Sequence, residues 1–115
     1  MGKIKVAIAT KGYKGLEDEV ADFFAKAETF TLATIEGKKV HLDIIKNSAA
    51  DLPRGRGRAV VQMLIDKGMK NVVASEFGLA ARALLEKEKF SLSEVRAGTR
   101  VSDVIRDELY KKRSF

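Results

Sequence analysis

Three arginines, Arg54, Arg56 and Arg58, alternate with Gly55 and Gly57 in the stretch DLPRGRGRAVV, just where an apolar helical run begins. Guanidinium forks on a glycine backbone are well suited to holding carboxylates or phosphates. Positive charge at a helix N-terminus opposes the macrodipole by roughly 0.3–1 kcal/mol per exposed charge. Helix stability therefore does not explain the placement; a bound anion would, and the alternative reading is a solvated, flexible basic surface loop. Lys11 and Lys14 add two cations in the glycine-punctuated loop KGYKG, with Tyr13 between them as a surface residue. Glu76 lies beside Gly78 after an apolar strand and is expected to face the arginines as a pairing partner, not as a catalytic acid. His41 shares a strand face with Lys39 and Asp43, opposite Val40, Leu42 and Ile44, and reads as an exposed strand residue. Met63 and Met69 read as core filler, and so do Phe23, Phe24 and Phe30, while Phe77 sits in a loop where it could line a pocket.

The elements that position these groups follow from periodicity. IKVAIAT alternates Ile4, Val6 and Ile8 with Lys5, Ala7 and Ala9, a strand with one strongly apolar face and one of small side chains. Leu16, Val20, Phe23, Phe24 and Ala27 recur at helical spacing behind Glu17, Asp18 and Glu19, which predicts a helix over 16–27. Two strands flank Glu36, Gly37 and Lys38 as a hairpin. A second helix spans 58–67 and ends at Gly68. NVVAS is a short strand, 79–88 a third helix, FSLSEV a weaker fifth strand, and 101–112 a last helix. In that last helix Val101, Val104, Ile105 and Leu109 face inward, with Asp103 near its start and Lys111, Lys112 and Arg113 at its end.

The order β-α-β-β-α-β-α-β-α is α/β: a three-layer arrangement in which a mixed five-stranded sheet carries helices on both faces. Four loops, 11–15, 47–57, 75–78 and 97–99, then emerge at one sheet edge, and open α/β sheets bind ligands outside the carboxyl ends of their strands. The candidate site on that rim comprises Lys11, Lys14, Arg54, Gly55, Arg56, Gly57, Arg58, Glu76 and Gly78, with Arg100 at its margin.

A chain of 115 residues fits one domain, 1–115. With no cysteine there is no disulfide, no thiolate nucleophile and no thiolate metal cage, which suits an intracellular protein. The apolar run near Met1 is too short for a signal peptide and no later run could span a bilayer, so the expected location is the cytoplasm, without membrane contact. The net charge of +6 favours anionic partners, and a surface dense in both signs suits a heat-adapted protein.

Taken in order, several motifs resemble the dinitrogenase iron-molybdenum cofactor biosynthesis family. They are the first strand KVAIAT, FFAKAETF from Phe23 to Phe30, the glycine helix entry at Gly55 and Gly57, and the step from Gly68 to Val73. The turn EFGLAA and the helix entry at Gly98, Thr99 and Val101 complete the series, which covers almost the whole chain. Phe23 stands where the family often has histidine, Ala25 where it has glycine, and Glu76 where it has the first glycine of the later turn. The resemblance implies a ribonuclease H-like motif fold and a role in nitrogen fixation, binding or carrying the iron-molybdenum cofactor or a related iron–sulfur cluster without turnover. It also implies other cofactor-assembly proteins as partners. With no cysteine and only His41, the chain argues against direct metal ligation, so the expected mode is charge: arginines holding an anionic cluster or oxyanion.

The competing reading is a basic nucleic-acid binding module, suggested by RGRGR and the positive charge. Against it, the basic residues are scattered and aromatic residues make up only 7%, leaving no visible stacking platform. A metal-dependent nuclease needs clustered carboxylates on the central strands, and the first strand offers none. The expectation is a non-enzymatic binding protein.

Overall fold

A computed structural model describes residues 2–113, with side chains described as far as residue 108. The strands are β1 (Ile4–Thr10), β2 (Thr29–Glu36), β3 (Lys39–Lys46), β4 (Asn71–Ala74) and β5 (Ser91–Glu94). The helices are α1 (Arg56–Asp66), α2 (Leu79–Lys87) and α3 (Val101–Arg113). The sheet order is β3-β2-β1-β4-β5, with β2 antiparallel to both neighbours and β4 and β5 parallel to β1. Four strands therefore point the same way, and their carboxyl ends share one rim. Among the described residues no helix is long and apolar enough to cross a membrane.

The alternation in β1 decides the layering. Ala7 and Ala9 look toward α1 and α2, where their small side chains leave room for Phe24, Phe30, Val60, Leu64 and Leu85. Val6 and Ile8 look the other way and pack with Ala33, Ile35 and Val73 under Val101, Val104 and Ile105 of α3. Both faces of this central strand are buried, as expected for a sheet covered on two sides. The inward positions expected of α3 hold at Val101, Val104 and Ile105; the side chains of Leu109, Lys111, Lys112 and Arg113 lie outside the described residues.

The helix expected over 16–27 does not form. Only a 3₁₀ turn at Gly15–Glu17 is helical, followed by extended chain bridging Thr10 to Val20 and Glu19 to Arg100. Its apolar residues have helical spacing but serve two different cores: Val20 packs under α3, whereas Ala21, Phe24 and Ala27 belong to the core on the opposite sheet face. Leu16 and Phe23, which would share the stripe, are exposed. The segment wraps over the sheet rim from one layer to the other, and tertiary packing overrides the local pattern. Its backbone bonds go elsewhere: Val20 N donates to Thr99 O at 2.8 Å and Ala21 N to Ala9 O at 2.8 Å.

A hydroxyl chain fixes where β1 leaves the sheet. Thr29 Oγ1 donates to Gly12 O at 2.6 Å, so the 2.6 Å contact between Thr10 and Thr29 has Thr10 as donor. Thr31 in turn donates to Thr10 at 3.0 Å. All three threonines are fully buried and satisfied, so the loop after β1 starts from a rigid point.

Candidate functional site

At the carboxyl rim, the segment after the 3₁₀ turn and the loop between β4 and α2 enclose a pocket of about 400 Å³. Phe23, Phe24, Ala25 and Lys26 form one wall, Glu76, Phe77, Gly78 and Leu79 the other, and Arg56 enters from the start of α1. Phe24 is the floor, buried with its ring 5.6 Å from Phe30 and 5.2 Å from Phe77. Phe23 is half exposed, with Lys26 Nζ 6.0 Å from its ring centroid. The walls are tied together by Phe24 N, which donates to Glu76 O at 2.9 Å. Buried Asn47 holds the first wall from behind, donating to Ala25 O at 3.0 Å and Ala27 O at 2.8 Å.

The glycines of the arginine loop have separate tasks. Gly55 caps α1 with φ of 73°, a left-handed conformation that side chains resist. Gly57 sits inside α1 where it meets α2; a Cβ there would lie 3.3 Å from Ala81 Cβ, so this glycine serves close helix packing. Gly78 caps α2 with ordinary φ of −66° and open space around it. Neither α1 nor α2 has a side-chain acceptor at its N-cap, so first-turn amides at both starts lack the usual side-chain partner. Gly55→Ala is expected to cost about 1 kcal/mol, since left-handed backbone is strained for an L side chain. Gly78→Ala should change little; equal urea midpoints for the two variants would refute this assignment.

Of the three arginines only Arg56 reaches the pocket, and its Nη1 donates back to Leu52 O at 2.6 Å. That bond gives its charge a partner and offsets part of the helix-entry penalty. Arg54 and Arg58 are exposed and do not line the pocket. Glu76 and Gly78 line it, and no ion pair joins Glu76 to Arg56 among the described residues. Lys11 and Lys14 lie apart, in a depression of about 200 Å³ with Glu17, Asp18 and Glu19. Lys11 Nζ bonds Glu19 at 3.1 Å, and this carboxylate raises its pKa above the ordinary lysine value of 10.5. The contribution of the raised Lys11 pKa is present at neutral pH and is lost as alkali titrates the ammonium. Arg100 is likewise engaged, at 2.9 Å from Glu17.

The rim thus gathers Arg56, Glu76 and Gly78 from the expected set and adds Phe23, Phe24, Ala25, Lys26, Phe77 and Leu79. The signal for Phe23 to Lys26 is FFAKA, which local periodicity assigns to a helix face, whereas Phe77 is the lining residue that the sequence itself suggests. Two cations, exposed aromatic surface and two helix starts suit an anionic ligand with apolar faces. The donor set fits the anionic periphery of a metal cluster and does not fit its metal ions. The chain has no cysteine, His41 is on the far half of β3, and among the described residues no three His, Asp or Glu side chains are gathered to hold a metal.

The NMR structure of a Thermotoga protein of the DUF35 family, described as a NifB candidate, is 32% identical; the match covers 96% of this chain and 90% of that one with a TM-score of 0.73. The apo form of the orange protein from Desulfovibrio gigas shares the fold at 19% identity, covering 94% of this chain and 88% of that one with a TM-score of 0.83. Comparison with curated proteins gives no match. The family model described as dinitrogenase iron-molybdenum cofactor matches residues 2–110. The chain belongs to the dinitrogenase iron-molybdenum cofactor family.

Proposed function

We propose that the protein is a non-enzymatic carrier that holds an anionic metal cofactor of the iron-molybdenum type at the carboxyl rim of its sheet and passes it between cofactor-assembly proteins. The observation that carries this reading is the pocket of about 400 Å³ in which Lys26 and Arg56 face apolar aromatic surface, in a chain of this family. Lys26 and Arg56 supply attraction to an anion, Phe23 and Phe77 cover its apolar faces, and the first-turn amides of α1 and α2 offer donors to oxyanion or sulfide groups. Without thiolate anchorage the cargo is held reversibly, as transfer requires. No nucleophile with an adjacent base lines the pocket, which supports carriage in preference to turnover.

The test uses isolated iron-molybdenum cofactor under anaerobic conditions, with native mass spectrometry, metal analysis and a melting scan. The wild-type protein should retain the cofactor and melt several degrees higher with it. The double variant Lys26→Ala/Arg56→Ala should lose most of that protection, and Arg54→Ala/Arg58→Ala should keep it. Equal protection in the first double variant would refute the site.

A further inference from the structure

The opposite end of the sheet carries a second concentration of positive charge. α1 covers the sheet face only as far as Gly68, beside which Lys5 Nζ lies. Beyond that point the row of Ala7, Leu32 and Asp43 gives way to wholly polar rows on the same face. Lys5, Thr34 and His41 stand side by side on β1, β2 and β3, and the next row toward the hairpin turn carries Glu36 and Lys39. Lys3, just ahead of β1, completes the lining of an open groove of about 420 Å³.

Three lysines line this groove against one carboxylate, Glu36. None of the three forms an ion pair among the described residues, although Lys11, Arg82, Arg100 and Arg106 all do. The Thr34 hydroxyl at the centre of the row also makes no hydrogen bond among them. Lysines often protect an edge strand from pairing, which accounts for Lys39 on β3. That does not account for Lys5, which lies on the central strand, or for Lys3. Strand geometry puts the two rows about 7 Å apart and the outer strands of each row about 10 Å apart. Lysine stems can converge from those corners on one ligand. Only Val40 is apolar and no Phe, Tyr or Trp lines the groove, so apart from the His41 imidazole it offers charge and hydrogen bonds and no extended stacking surface. Lysine ammonium acts on phosphate as a point charge and needs no bidentate fit.

We propose that this groove is a second anion site, separate from the rim pocket, for a small molecule carrying two or more phosphate groups. Lys3, Lys5 and Lys39 neutralise the phosphates, and Thr34 and His41 donate hydrogen bonds to them.

Pyrophosphate is the probe, titrated into ¹⁵N-labelled protein. Amide shifts should concentrate at residues 3–5, 34–36 and 39–41. Lys3→Gln/Lys39→Gln should weaken the fitted affinity about tenfold or more, as loss of charge-assisted bonds predicts. Lys26→Ala/Arg56→Ala, which removes both cations that line the rim pocket, should leave these shifts and this affinity unchanged. Shifts confined to the rim, or a lysine variant that binds as the wild type does, would overturn the proposal. Tighter binding of a short single-stranded RNA than of pyrophosphate, with a steep salt slope, would also overturn it in favour of a nucleic-acid surface.

Discussion

Phe24→Ala is expected to lower the stability of the fold by about 3–5 kcal/mol, the range for removing a buried phenylalanine and leaving a cavity. Phe24 is 1% exposed and its ring contacts both Phe30 and Phe77, so the cavity would open at the junction of β2, the rim segment and the β4–α2 loop. Collapse is restricted there, because Asn47 and the Phe24 N–H to Glu76 O bond fix the surrounding backbone. A domain of this size has roughly 5–15 kcal/mol in total, so the variant should unfold at a much lower urea concentration with its slope unchanged. Phe23 provides the internal comparison. It is 50% exposed and lines the same pocket, so Phe23→Ala should cost under about 1 kcal/mol while weakening retention of the cofactor. If the two variants unfold at the same midpoint, Phe24 is not the floor of the site.

The sequence makes the sheet legible because each strand carries its own evidence. Ala7 and Ala9 opposite Val6 and Ile8, the turn at Gly37, and Gly68 after an apolar helix are local signals that tertiary packing reinforces. The segment 16–27 is the exception, since Val20 and Phe24 keep a helical interval while belonging to opposite faces of the sheet. No local pattern distinguishes a helix stripe from a chain that crosses a rim. The same segment hides four of the nine lining residues: Phe23, Phe24, Ala25 and Lys26 border the pocket only because the chain there bends and turns instead of forming a helix. The arginine loop, in contrast, is conspicuous in sequence, yet it sends a single side chain to the rim. Arg54 lies ahead of the left-handed Gly55 and Arg58 two residues along α1 from Arg56, where helical neighbours do not share a face, and both are exposed outside the pocket lining. Strand order therefore located the rim, and backbone path decided which charges face it.

Asp18→Ala should be the other severe substitution, costing about 3 kcal/mol through the loss of bonds to a charged acceptor. Its carboxylate is almost fully buried and faces no lysine or arginine at bonding distance. Instead it accepts from three backbone N–H groups: Gly12 and Lys14 through Oδ2 at 3.1 Å each, and Glu19 through Oδ1 at 2.8 Å. Those bonds fold the loop after β1 around the acid, and the Asp18 carbonyl accepts from Val101 N at 2.9 Å to seat the start of α3. Alanine leaves three part-buried donors without acceptors. Asn keeps one carbonyl oxygen but presents an NH₂ to the remaining N–H groups, so Asp18→Asn should recover only part of the loss. Hydrogen exchange gives the specific readout: the amides of Gly12, Lys14 and Glu19 should lose protection in both variants, while those of β4 and β5 follow only the global change. Unaltered exchange at these three amides, or a loss under about 1 kcal/mol for alanine, would mean that the buried threonine chain, and not this carboxylate, anchors the rim.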